Sequence, residues 1–136
     1  MPEITVSPYL IVKGAKAAIE FYQKVLGATI VSVMDAEDGE RVMHATLMIQ
    51  DNPVMLSDEF PEFDSEPGAV PGNGSPVAVS ITVSAPDEVD RIYKLAMENG
   101  SVKSHAPEDM FWGDRFCQFY DPFGHRWMLL AALEKK

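Results

Sequence analysis

The feature that most limits how this chain can fold is that its two halves run through the same order of elements. In the first half, Ile4 to Val12 alternates and is rich in β-branched residues, which predicts a strand. A helix follows, with Ala18, Ile19, Tyr22, Val25 and Leu26 on one face and Gly27 closing it. Thr29–Met34, Val42–Ile49 and Val54–Ser57 read as further strands, separated by Asp38-Gly39 and by Asp51-Asn52-Pro53. The second half opens on a strand, Val77–Ser84. Pro86, Asp87 and Glu88 then start a helix that turns Val89, Ile92, Tyr93 and Ala96 inward and ends at Gly100. Val102–His105, Phe116–Tyr120 and Arg126–Ala131 are the strands after it. Both halves are therefore β-α-β-β-β. IEFYQKVLGATI also aligns with DRIYKLAMENGSV, each a helix with a central Tyr running through a glycine into a strand. The repeat predicts an α+β chain of two tandem equivalent modules, at residues 1–58 and 77–136.

Residues 59–76 lie between the modules. The stretch Glu59 to Ser75 holds three prolines, three glycines and four acids and has no Lys or Arg, so it reads as a surface linker. Phe60 and Phe63 either pin this linker to the body of the protein or close over a cleft as part of a lid.

Charge and cysteine content narrow the function. Twenty-one acids against eleven bases leave a net charge of −10, which disfavours phosphate backbones and anionic membranes as partners and allows a neutral or cationic one. Nine of those acids fall in two short stretches, Asp35 to Glu40 and Asp58 to Glu66, so the charge speaks first of exposed loops. Cys117 is the only cysteine, so the chain can form no internal disulfide and no cysteine-rich zinc site. The N-terminal stretch lacks the pattern of a secretory leader, and no apolar run reaches membrane-spanning length, so a cytoplasmic location is expected.

Three stretches carry a family likeness. PYLIVKGAKAAIEFYQKVLGA, HATLMIQDNPVMLSDE and WGDRFCQFYDPFGHRWMLL resemble the first strand and helix, the middle hairpin and the final hairpin of the vicinal oxygen chelate superfamily. That group includes glyoxalase, bleomycin-resistance and extradiol dioxygenase proteins. HATLMI and MLSDE look most like the subgroup labelled demethylubiquinone methyltransferase-like, but no Gly-rich nucleotide loop on a parallel sheet is present, so that activity is not expected. The resemblance implies curved mixed sheets around a cleft, homodimers, and a small organic ligand. Alternation along the strands would then turn Ser7, Tyr9, His44, Thr46 and Met48 inward from module one, and Ala78, Ser80, Thr82, Met128 and Leu130 from module two.

Metal-dependent members of the superfamily place His or Glu at four positions, which match Ser7, His44, Ala78 and Met128 here. Only His44 is a competent ligand for a divalent cation. No tightly bound metal and no other cofactor is therefore expected. His105 and His125, at a strand end and in a turn, read as exposed or singly hydrogen-bonded histidines, and Cys117 between two aromatics reads as core packing. Trp112 is a candidate aromatic wall for a planar or cationic ligand, and Arg115 a candidate partner for a ligand carboxylate, each weighed against a purely structural role. The functional expectation is a protein that binds a small organic molecule, with sequestration of a cationic compound as one version. The alternative is a lyase or isomerase that uses His44 as acid or base, with or without a recruited divalent metal.

Overall fold

A computed structural model of the protein describes residues 4–133, so the ends of both predicted modules, residues 1–3 and 134–136, lie outside the described residues. The chain divides into two units that meet between Gly68 and Ala69. Unit one contains β1 (Tyr9–Val12), α1 (Ala15–Leu26), β2 (Thr29–Asp35), β3 (Val42–Ile49) and β4 (Asn52–Asp58), followed by one turn of 3-10 helix at Pro61–Phe63. Unit two contains β5 (Ala78–Thr82), α2 (Pro86–Glu98), β6 (Val102–Asp109), β7 (Asp114–Tyr120) and β8 (Arg126–Ala132). The fold is α+β, and each unit is β-α-β-β-β.

Each unit builds one four-stranded mixed sheet, in the order β1-β4-β3-β2 and β5-β8-β7-β6. The first and last strands of each unit run parallel, β1 with β4 and β5 with β8, and the remaining pairs are antiparallel. One face of each sheet is covered by the unit's helix. In unit one, Leu10, Val12, Ala45, Leu47, Val54 and Leu56 are buried together with Ala18, Ile19, Tyr22 and Val25 of α1. In unit two, Cys117, Phe119, Trp127, Leu129 and Ala131 are buried with Val89, Ile92 and Ala96 of α2. The other face of each sheet carries no helix.

The helix ends follow from local chemistry. α1 stops at Gly27, whose φ of 69° is left-handed backbone that suits glycine, and the Gly27 N–H returns to the Tyr22 carbonyl. Its first turn has no capping side chain of its own. The buried Asp58 carboxylate at the end of β4 does this work instead. Oδ1 accepts from the N–H groups of Gly14 and Ala15 at 2.7 and 3.0 Å, and Oδ2 accepts from Val42 N–H at 2.8 Å. One carboxylate thus satisfies two free N–H groups at the helix start and joins them to the first residue of β3. Asp58, grouped by sequence with the loop acids, is a core residue.

Several strand limits differ from the sequence reading. β1 begins at Tyr9, because Pro8 has no N–H to donate and the ladder with β4 runs only from Tyr9 to Val12. β6 continues past His105 through Pro107 to Asp109. It is the edge strand of its sheet, where a missing N–H is tolerated, and its register shifts twice along β7. β7 starts two residues early because Asp114 and Arg115 pair with Ala132 and Ala131.

Residues 59–68 are not a free tether. Phe60 is buried, stacks with Phe63 at 6.1 Å, and lies 4.3 Å beneath the Arg41 guanidinium. Arg41 also donates to Glu62, to Asp38 and to the Glu59 carbonyl. The Glu59 carboxylate in turn accepts from Gly68 N–H at 2.6 Å. At Gly68 a Cβ would stand 2.7 Å from the Ile11 carbonyl oxygen, so the close approach to β1 requires glycine.

Candidate functional site

In unit one, alternation along β3 sends Ala45 and Leu47 toward α1 and turns His44, Thr46 and Met48 to the helix-free face. Register brings Tyr9 onto the same face, since Tyr9 lies opposite Met55 and Met55 lies opposite Thr46. The Tyr9 hydroxyl is 3.0 Å from His44 Nδ1, and His44 Nε2 is 3.1 Å from Thr46 Oγ1. The three side chains form one hydrogen-bonded row with two self-consistent proton arrangements. If Tyr9 donates to Nδ1, the ring donates from Nε2 to Thr46. In the other tautomer Nδ1–H donates to Tyr9 and Thr46 donates to Nε2. Tyr9 is 46% exposed, so the row is open to a ligand at its phenol end. Met48 borders the row, and Ser7 lies two residues before β1, half-buried, outside the strand.

In unit two, Ser80 and Gln118 flank Met128 across the helix-free face. Phe116 lies on this face as well, with the rings of His105 and Trp112 edge-on to it at 5.4 and 6.0 Å. Trp112 also meets Phe111, which is 95% exposed. His105 Nε2 lies 2.8 Å from Glu108 Oε1, within hydrogen-bond distance.

Arg115 does not join this group. Its position opposite Ala131 turns it to the helix side. There Nε and Nη2 grip the two carboxylate oxygens of Asp90 on α2, each at 2.8 Å, and Nη1 reaches Asp109 at 2.8 Å. The Arg115 hydrogen bonds hold the Asp90 carboxyl below the usual range, and Asp90 holds the guanidinium proton correspondingly tightly. The side chain ties α2 to the sheet. Cys117, also on the helix side, is buried, and burial pushes its thiol up to about 12, far from a thiolate nucleophile at neutral pH.

A second cluster sits at the β2–β3 turn of unit one. Asp35, Glu37, Asp38 and Glu62, with Met43, Phe60 and Phe63, surround a pocket of about 380 Å³. Arg41 already occupies its aromatic and acidic wall, stacked on Phe60 and bonded to Asp38 and Glu62. The Arg41 backbone N–H, followed by its side chain, holds the Asp38 carboxyl down at about 2.

The family model for the glyoxalase/bleomycin resistance protein/dioxygenase superfamily matches residues 4–129. The chain belongs to this superfamily. A Mycobacterium bovis relative, protein Mb0911c, is 36% identical over 129 residues, covering 93% of this chain and 82% of its own length. Protein PA1353 from Pseudomonas aeruginosa has the same fold at a TM-score of 0.76 and 26% identity, over 97% of this chain and all of the other. A glyoxalase/bleomycin resistance protein/dioxygenase from Nocardioides superposes with a TM-score of 0.70 at 28% identity, over 100% of this chain and 87% of its own.

The donors present do not fit the divalent metal of the superfamily's metal-dependent members. Of the four matching positions, Ala78 has no donor, Met128 offers a soft thioether and Ser7 a neutral hydroxyl. Both ring nitrogens of His44 are taken by Tyr9 and Thr46. Among the described residues no three His, Cys, Asp or Glu side chains gather as a metal site. Among the described residues, these four positions do not supply a His and carboxylate set for a metal that would polarise substrate oxygens.

Sequence reasoning passed over Arg126 and Gln118. The alternation that exposes Met128 and Leu130 on the helix-free face exposes Arg126 there too, two residues earlier on β8.

Proposed function

We propose that the protein binds a small organic molecule on the helix-free face of unit one, with the Tyr9–His44–Thr46 row as its polar anchor. The observation that supports this is the row itself: three hydrogen-bonding side chains from two non-adjacent strands, linked at 3.0 and 3.1 Å and open at Tyr9. Around it lie Met48 and Met55, apolar and adaptable. No carboxylate of β1, β3 or β4 points to this face, so a neutral ligand with one donor and one acceptor matches it better than a cation. Support for a cationic guest lies instead at the acidic pocket by the β2–β3 turn, where Asp35 and Glu37 remain beside the Arg41 cluster.

Saturation-transfer NMR with a panel of phenols, amides and lactones tests the reading. Binding should weaken about tenfold in Thr46→Val and His44→Ala. Ligands that bind all variants, including Tyr9→Phe, with equal strength would overturn it.

The row also favours a second reading, a lyase or isomerase in which the Thr46 hydroxyl turns away, His44 Nε2 takes a proton from carbon, Nδ1–H passes its proton to Tyr9 and the Tyr9 hydroxyl gives one to oxygen. Deuterium exchange at an acidic C–H of a bound carbonyl compound, lost in His44→Ala, supports this reading, and exchange that persists in the variant refutes it. Self-association, which the superfamily resemblance implies, has a candidate surface in β2. It is an edge strand without charge from Thr29 to Met34, and all seven of its residues are exposed. A monomeric mass by light scattering at high concentration would exclude that pairing.

A further inference from the structure

A cavity of about 310 Å³ lies wholly within unit two, between the loop at residues 71–74, the start of β6 and the end of β7. Tyr120 and Val102, opposite each other on β7 and β6, line it from the helix-free face. Ser104 lines it too, and its Oγ accepts from Gln118 Nε2 at 2.6 Å. The rest of the wall is the loop, through Pro71, Gly72 and Gly74. That loop is fixed without a ligand. The Asn73 N–H returns to the Val70 carbonyl at 3.1 Å, and a Cβ on Gly124 would meet the Pro71 nitrogen at 3.0 Å, so the loop presses onto the 121–124 turn. Gly72 and Gly74, at φ of 93° and 73°, bring no side chain into the space. A Cβ on Gly74 would stand 3.7 Å from the Tyr120 hydroxyl, so glycine there leaves the phenol open to the cavity.

Both hydroxyls of the lining can donate. Tyr120 has no hydrogen-bond partner among the described residues, and Ser104, having accepted from Gln118, keeps its own proton. No available charge accompanies them. Lys103 borders the cavity, but its place opposite Phe119 starts its side chain on the helix side. Arg126, opposite Tyr120, turns to Gln118 and the Pro76 carbonyl and is not part of the lining. The Asp121 carboxylate is in the lining but only 1% exposed. Its oxygens accept from the Phe123 and His125 N–H groups and from Trp127 Nε1, at 2.9, 3.0 and 2.8 Å. An anion would face this carboxylate and a cation would find its oxygens taken, so the lining suits a neutral guest.

We propose that this cavity binds a small neutral carbonyl compound with a flat apolar body. The Tyr120 and Ser104 hydroxyls donate to its oxygen, and the body lies against the Tyr120 ring, Val102 and Pro71. The volume matches the lower end of the range for small-molecule sites, about 300 Å³. The site belongs to unit two alone and stands or falls independently of the Tyr9–His44–Thr46 row.

The test is titration of the ¹⁵N-labelled full chain with benzamide, benzoate and benzylamine at neutral pH and matched ionic strength, one ring carrying three charges. The amides of Gly72, Gly74, Val102 and Tyr120 are followed, all in unit two, so binding at the row of unit one does not enter. Benzamide should shift them saturably, and the two charged probes should bind at least about tenfold more weakly. Tyr120→Phe should lower benzamide affinity about fivefold. Val102→Trp, a change at an exposed edge position that fills the cavity, should abolish binding. A charged probe that binds as tightly as benzamide overturns the neutral guest. Absence of saturation by benzamide up to about 50 mM, or unchanged affinity in Tyr120→Phe or Val102→Trp, overturns the site. Should Val102→Trp fail to fold, Tyr120→Phe and the three wild-type titrations decide the matter.

Discussion

The Tyr9 hydroxyl and His44 Nδ1 are 3.0 Å apart although their strands do not touch, because β4 lies between β1 and β3. The phenol reaches diagonally across Met55 to make the bond, and Thr46 holds the far side of the ring. Both neighbours of the imidazole are hydroxyls that donate or accept, so either tautomer completes the row. Tyr9→Phe leaves Nδ1 without its partner, and long-range ¹⁵N–¹H spectra should show the His44 tautomer ratio change in that variant. Tyr9 is exposed, so the stability cost of that substitution should stay within about 1 kcal/mol by urea unfolding. An unchanged tautomer ratio in Tyr9→Phe would contradict the Tyr9–His44 bond.

Asp58 is expected to be the costliest polar side chain of unit one to lose. Asp58→Ala strands the N–H groups of Gly14, Ala15 and Val42 at once, and a loss of about 3 kcal/mol should follow in denaturant unfolding. Asp58→Asn keeps one oxygen for the Gly14 and Ala15 N–H groups but loses the charge and turns an NH2 donor toward Val42 N–H, so only part of the stability should be retained. Equal losses in the two variants would show that shape without the charged carboxylate does nothing to fasten α1.

Arg115 should matter for stability and not for ligand. Arg115→Gln should leave any small-molecule affinity unchanged and lower stability by at most about 1 kcal/mol, since its partners are largely exposed. The pH dependence has a definite sign. The Asp90 carboxyl is held low in the folded chain, so the contribution is present above the ordinary Asp value of about 4 and disappears as pH falls through the lower folded value. Wild type and variant should thus converge in acid, and a gap that widens there would refute the pairing.

Cys117 should resist iodoacetamide at about pH 8 until the chain unfolds. Its folded thiol is pushed up to about 12, so its share of stability is intact below the unfolded value of about 8.5 and is lost as pH climbs toward the folded one. Cys117→Ala should accordingly show a shallower alkaline decline. Rapid labelling of the native protein would place the thiol outside the core.

The repeat, the helices and the antiparallel hairpins could be read from the chain because each is encoded locally, in alternation, glycine stops and turn residues. Tyr9, His44, Thr46 and Met48 were legible as one face for the same reason: strand period places them. Arg115 was not, since its side depends on how far β7 extends toward Asp114, and that is decided by pairing with Ala131 and Ala132. The fate of residues 59–68 was hidden more deeply. Arg41, which pins Phe60 and Glu62, comes from a different hairpin, and no local pattern announces a contact of that separation. The face of Arg126 was in plain view by parity, but that its guanidinium reaches only the neutral Gln118 and the Pro76 carbonyl shows itself only in the fold.

The parallel pairing of β1 with β4 and of β5 with β8 also sets an order of assembly. In each unit the first strand made has no sheet partner until the last one emerges, so the helix and two strands must wait while a loop spanning nearly the whole unit closes. Contacts of such long sequence separation slow folding and keep the opening strand unpaired on the ribosome. Unit one can complete its sheet while unit two is still being translated. Unit two cannot begin to secure β5 until β8 has been released, so β5 stays unpaired, and open to misassembly, for as long as the rest of its unit takes to emerge.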